Sequence, residues 1–293
     1  TGEDTLSLHD ALPISTAATW NAGVIDVGAG TGPRAIEVAV NPLDQVGVSF
    51  ITNSAATGRP KFIYCTSCTS PSGFLTMTPN AYIENTNVNA SEVATGMGWC
   101  KVSSSLYYPA AVYSISGATR YGICKNSLTN CLNSANWTFQ TVVATNNLSS
   151  KLYLDTATVG AVPKVVSLGA AGIVTYAMGT TACTAAFTAF TAGVTVGTAT
   201  SGNQWMTLLA DTAGKYHIVA NESTTSVRYY NSTTTTITGA WNAAGVIETT
   251  TLPAATGGGA DIDSSTSGIY SSYGQNVAPF DLRFMRVGDY TLS

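Results

Sequence analysis

Charged side chains are scarce in this chain: Asp, Glu, Lys and Arg make up 10% of 293 residues, with a net charge of −4 at pH 7, against a usual share of about 25%. So few cations leave no basic footprint, which excludes a nucleic-acid surface. The uncharged stretch 165–210 is broken by Gly169, Gly172, Gly179, Gly193 and Gly197 and diluted by threonines. It contains no run of about 18 apolar residues, so no membrane span is expected. No Gly-Lys-Ser/Thr loop follows a strand, so no phosphate cradle is expected. Nothing in the sequence implies a cofactor. What is present is strand material. Apolar residues reach 45% and roughly one residue in seven is threonine, a composition too apolar for disorder and suited to half-buried strands.

Cysteine is even in number, with six copies, and four of them fall in close pairs, Cys65 with Cys68 and Cys124 with Cys131. A zinc site would need a second pair or histidines at ligand spacing, and neither accompanies Cys65 and Cys68. No metal is therefore expected. Local disulfides Cys65–Cys68 and Cys124–Cys131 are expected, together with secretion into an oxidising compartment at or outside the cell surface. Cys100 and Cys183 have no near partner and stay unassigned.

The segment 5–14, TLSLHDALPI, resembles the conceptual translation of a sequencing adaptor joined to a gene fragment. The expectation is that residues 1–15 are not native and that 16–293 form a single domain. With His9 set aside, His217 is the one remaining histidine. A serine- or cysteine-histidine triad then has a single imidazole to draw on.

The same phrase occurs near both ends, Trp20-Asn-Ala-Gly-Val-Ile-Asp26 and Trp241-Asn-Ala-Ala-Gly-Val-Ile-Glu248, 221 residues apart. Trp137 and Phe190 open similar segments at spacings of 53 and 51 residues. A period of this size marks a propeller or solenoid. The clearest unit has strands at 205–211, 216–220 and 227–230 and an aromatic-led fourth at 241–248. Four strands per unit is a propeller blade. In the first unit the fourth strand is expected near Tyr82. The last unit shows three strands, and residues 20–27 read as its missing fourth. The expected fold is all-β, a five-bladed β-propeller of four-stranded blades, closed by pairing of the N-terminal strand with the C-terminal blade. A larger ring, a solenoid and a sandwich are the competing architectures.

The turns Asp211-Thr-Ala-Gly214 and, with insertions, Asp155 to Gly160 and Asp263 to Gly268 give the units a resemblance to secreted bacterial sialidase-like and Asp-box-like propellers. The full Asp-box pattern is nowhere satisfied. The resemblance implies a fold and carries no activity.

Glycoside-cleaving propellers place carboxylates on their innermost strands, which makes Asp155, Asp211 and Asp263 weak catalytic candidates. Their common place at a glycine-containing turn has a simpler cause, since Asp side chains hydrogen-bond the backbone two residues on. Arg120, Arg228 and Arg283 sit at equivalent third-strand positions and read as solvated residues. Trp99 and Trp205, near the starts of first strands, are weak candidates for stacking on sugar rings; packing between blades is the better reading. Asn89, Asn136, Asn147, Asn221 and Asn231 each begin an Asn-x-Ser/Thr sequon. The leading expectation is a secreted, non-enzymatic structural, adhesive or self-assembling module forming homo-oligomers or filaments. A propeller glycoside hydrolase and a lectin-like glycan-binding module are the competing functions.

Overall fold

The computed structural model describes residues 34–286 apart from 53–57, 69–70, 78–80, 87–94, 116, 145–146, 170–172, 187–188, 199–204, 224–225, 236–239, 243–244, 249–257, 263–267 and 275–281. All its sheets are antiparallel. The first contains Arg34–Val40 (β1), Val46–Ile51 (β2), Pro60–Cys65 (β3) and Leu75–Thr76 (β4). The second contains Thr95–Ser103 (β5), Leu106–Ile115 (β6), Ala118–Cys124 (β7) and Trp137–Val143 (β8). The third contains Asn147–Tyr153 (β9), Lys164–Gly169 (β10), Ile173–Met178 (β11) and Val194–Thr198 (β12). The fourth contains Met206–Ala210 (β13), Tyr216–Ser223 (β14), Ser226–Asn231 (β15) and Gly245–Glu248 (β16), and the fifth Gly258–Ile262 (β17), Ile269–Gly274 (β18) and Leu282–Arg286 (β19).

Within every sheet the strands lie side by side in chain order. Between sheets, contact runs from first strand to first strand: β1 meets β5, β5 meets β9, β9 meets β13 and β13 meets β17. This succession of meanders is a propeller-like fold. Apolar clusters fill the gaps between sheets. One joins Val166 and Leu168 of the third sheet to Met206, Leu208, Ile218, Ala220 and Tyr230 of the fourth.

The aromatic-led repeat has a structural cause. Trp137 pairs with Cys124, Phe190 with Gly179 and Trp241 with Ser232, so each aromatic residue sits opposite the end of its sheet's third strand. In the first sheet the expectation fails: its fourth strand is Leu75–Thr76, not a segment near Tyr82. Arg59 lies over the Tyr82 ring at 4.8 Å and donates to Asn85 Oδ1 at 2.7 Å, which commits that segment to a loop instead. The proposed closing strand, 20–27, lies outside the described residues, as does the segment 1–15.

Trp99 and Trp205 pack between sheets, only 1% and 8% exposed. Trp99 Nε1 donates to the Ala39 carbonyl of β1 at 3.0 Å. Its ring lies so close to Gly47 of β2 that an added Cβ there would come within 2.8 Å. Trp205 stands likewise against Gly258 of β17, where a Cβ would come within 2.3 Å. Burial of this extent agrees with packing between blades and rules out the weaker candidacy for stacking on sugars: their faces are already occupied by protein.

Cys65–Cys68 and Cys124–Cys131 are bonded, and a third disulfide joins Cys100 to Cys183, 83 residues apart. The third bond ties β5 of the second sheet to the loop after β11 of the third. Three disulfides fit an oxidising compartment. Among the described residues no helix is long and apolar enough to cross a membrane.

Candidate functional site

The first strands of three sheets run into turns built on the same device. Asn41 Oδ1 accepts from the amides of Leu43 at 3.0 Å and Gln45 at 3.2 Å. Asp155 Oδ1 accepts from the Ala157 amide at 2.9 Å, and Asp211 Oδ1 from the Lys215 amide at 2.8 Å. One oxygen of each side chain therefore fixes a turn. Asp263 lies outside the described residues.

The second oxygens have different surroundings. Asp155 Oδ2 accepts from the Thr158 hydroxyl. Asp211 Oδ2 lies 3.1 Å from His217 Nε2, and His217 Nδ1 lies 2.6 Å from the Tyr229 hydroxyl. A carboxylate only accepts, so Nε2 carries the imidazole proton and Nδ1 accepts from Tyr229. Burial lowers the His217 pKa and outweighs the Asp211 hydrogen bond and charge, which keeps the ring neutral. Burial, with the Asp211 charge second, pushes the Tyr229 hydroxyl up to about 12.

Beside this relay, two tyrosines and a lysine meet across the third and fourth sheets. The Tyr153 and Tyr216 rings are edge-on at 5.9 Å, one from the end of β9 and the other from the start of β14. Lys164 Nζ, from the start of β10, lies 5.6 Å from one ring centroid and 5.3 Å from the other. Cations are attracted to ring faces at such distances. Burial lowers the Lys164 pKa, with the Asp155 charge opposing. Partial burial pushes the Asp155 carboxyl up. The hydrogen bonds from Thr158 and Ala157 and the Lys164 charge outweigh that and hold its pKa below the usual carboxylate value. Burial raises Tyr153, and raises Tyr216 to about 12, each reinforced by the Asp155 charge. The ensemble is an ionised carboxylate, a half-buried ammonium and two protonated phenols at the adjoining ends of two sheets.

Other expectations fare differently. Arg120 is not a solvated strand residue: it grips Glu84 through Nη2 at 2.9 Å and Nε at 3.3 Å, and Tyr113 donates to the same carboxylate at 3.0 Å. The Arg283 side chain and Asn89 lie outside the described residues. Asn221 is 1% exposed, which corrects its candidacy for a glycan, since a folded chain hides it. Asn136 Nδ2 donates to the Asn130 carbonyl at 2.8 Å, and Asn231 Oδ1 accepts from Asn242 at 2.9 Å. Asn147 opens β9.

Sequence reasoning missed Glu37. It is an inner-strand carboxylate on β1 that pairs with Lys151 of β9, 114 residues away. Only the alternation of β1 hinted at it, with Glu37 between Ile36 and Val38. Among the described residues no group of His, Cys, Asp and Glu side chains is arranged to hold a metal ion.

No protein-family model matches the chain, and no curated protein does. Solved structures do. A GH62 α-L-arabinofuranosidase catalytic domain from Coprinopsis cinerea is similar at 14% identity, with 91% of this chain and 94% of that one covered and a TM-score of 0.52. An α-L-arabinofuranosidase from Podospora anserina, solved with cellotriose, is similar at 12% identity, 87% and 90% coverage and a TM-score of 0.50. A triple arginine-to-alanine mutant of AofleA from Arthrobotrys oligospora is similar at 10% identity, 89% and 71% coverage and a TM-score of 0.57. These likenesses describe the fold. They also correct the leading expectation of a non-enzymatic structural or filament-forming module, because the solved chains sharing this architecture include glycosidases.

Proposed function

We propose that the chain is a secreted carbohydrate-active propeller that hydrolyses a glycosidic bond in an arabinose-bearing polysaccharide, at the adjoining ends of β9–β10 and β13–β14. The observation carrying the proposal is the Asp155 carboxylate, held ionised beside Lys164 and the Tyr153–Tyr216 pair. Glycosidases divide the work between two carboxylates in unlike surroundings. Asp155 is the carboxylate that activates water or attacks the anomeric carbon. Asp211 is the second carboxylate, held by the Nε2–H of the neutral His217 ring, and the Lys164 ammonium gives the leaving oxygen its proton as the C–O bond breaks. Tyr153 offers an aromatic face for the sugar, and Lys164 donates to its hydroxyls. Three disulfides support secretion.

A glycan-binding module is the second reading, favoured by the Oδ1 atoms of Asp155 and Asp211, both spent on turn amides. Incubation with arabinoxylan, following released pentose and retained polysaccharide, separates the two. Release of arabinose is expected; retention without release selects the binding module, and neither event overturns both.

The ring has five blades, we propose, and residues 20–27 complete the last one beside β19. The repeated pairing of Trp137, Phe190 and Trp241 with the end of a third strand supports this, since Trp20 is the same residue in the same phrase. So does the outer face of β1, where Ile36, Val38 and Val40 are each 56% exposed and await a covering sheet. Residues 1–15 are foreign to this domain, which spans 16–293. Deleting 1–15 should leave the thermal midpoint unchanged, whereas deletion through Val27 should lower it and cause aggregation. Equal midpoints would refute closure.

A further inference from the structure

Between the second sheet and the loop after β11 of the third lies a cavity of about 270 Å³ lined by Tyr121, Ile123, Lys125, Thr138, Gln140 and Ala186, none of them a member of the Asp155 cluster. Such a volume equals about nine waters, enough for one sugar ring. Its back wall is buried and apolar, with Ile123 1% and Tyr121 0% exposed and Phe190 bracing the Tyr121 ring edge-on at 5.5 Å. Its rim is polar. Thr138 donates its hydroxyl to the Ile123 carbonyl at 3.3 Å, leaving oxygen lone pairs to accept from a ligand. Lys125 is the one charged residue of the lining. Its ammonium donates to the Ala185 carbonyl across the gap, and three N–H donors leave two for a ligand. Ala185 and Ala186 stand on the loop that Cys183 anchors to Cys100, so a disulfide holds the far wall in place.

We propose that this cavity is a second saccharide subsite, and that it takes a uronic acid residue whose carboxylate meets Lys125. The sugar identity of the ligand rests on the carbohydrate-active reading above; the requirement for a carboxylate rests on the lining alone. A partly desolvated ammonium flanked by an apolar wall is matched by an anion, through charge-assisted hydrogen bonds stronger than neutral ones. A six-membered ring fills the volume in front of that wall, and its hydroxyls reach Thr138 and Gln140. A simple carboxylate such as acetate fills too little of the volume to gain those contacts.

Calorimetric titration of the oxidised full chain with D-glucuronate, D-glucose and acetate tests this. Glucuronate should bind at least about tenfold more tightly than either control. Lys125→Met should erase the preference for glucuronate over glucose. Ala186→Trp, which fills the cavity without touching its charge, should abolish binding of both sugars. Asp155→Asn should leave glucuronate binding intact, which separates this subsite from the proposed hydrolytic site. Equal affinity for glucuronate and glucose, an unaltered preference in Lys125→Met, or no binding by a chain that still hydrolyses arabinoxylan would each overturn the proposal.

Discussion

Two clusters in this molecule join charge to tyrosine, and they differ in what they leave over. On the second sheet, Tyr113 and two nitrogens of Arg120 donate to Glu84, which lies in the segment between β4 and β5. Arg120 spends its remaining nitrogen on Thr141 and covers the Phe139 ring at 5.4 Å. Every strong group has a protein partner, as a buried network requires. That cluster pins a loop. At the ends of the third and fourth sheets, Lys164 instead faces two aromatic rings, and Asp155 is held ionised by a turn. Donors and an acceptor remain for something outside the chain. The proposal assigns the closed cluster to structure and the open one to function, and an opposite response to mutation should separate them.

The largest effect is expected at the junction that carries both clusters. The second sheet holds the closed one and the third sheet half of the open one, and Cys100–Cys183 binds these sheets together. Replacing both cysteines by serine should cost about 4 to 5 kcal/mol, the loop-closure contribution for a bond of this span. Chemical denaturation of oxidised wild type and variant reads this directly. A loss near zero would mean that interblade packing alone sets the junction.

Next in size is Glu84→Ala, which strands Arg120 in a half-buried place and should cost about 3 kcal/mol. Hydrolysis per folded molecule should not change. If activity falls while stability holds, the assignment of the two clusters is reversed.

Lys164→Met keeps the contact with the tyrosine rings and removes the charge, so stability should move by less than about 1 kcal/mol. Sugar release should fall steeply. A fully active variant would remove Lys164 from the site.

The smallest effect is a pH dependence. His217 has a lowered pKa in the folded chain relative to its ordinary value of 6.5, mainly through burial. The unfolded chain therefore takes up this proton first, and stability falls as pH drops from above 6.5 towards the lower folded value. Above that window the His217 contribution is fully present. His217→Gln should flatten this part of the stability curve, measured as denaturation midpoints across the window, and an unchanged slope would assign the dependence to other groups.

The blade pattern was legible because it is local. Alternation within a strand and an aromatic residue opposite the end of the third strand both leave their mark within about 50 residues. Turn-forming Asp155 and Asp211 were legible for the same reason, as a short polar side chain followed by glycine. What could not be read depends on which blades are neighbours. Cys100 finds Cys183, Glu37 finds Lys151 and Glu84 finds Arg120 only after the sheets have stacked. Lys164 and Tyr216 lie in different sheets, so no spacing announces their meeting. The tryptophans left two roles open, with packing the favoured one, because exposure at a channel mouth and burial between blades need the same residue type at nearly the same position.

The central claim is that the open cluster cleaves glycosides. Arabinose release from arabinoxylan by wild type and by Asp155→Asn, each checked for an unchanged thermal midpoint, tests it most directly. The account predicts release by the wild type and essentially none by the variant. Equal release by both, or none by a fully folded wild type, would contradict it.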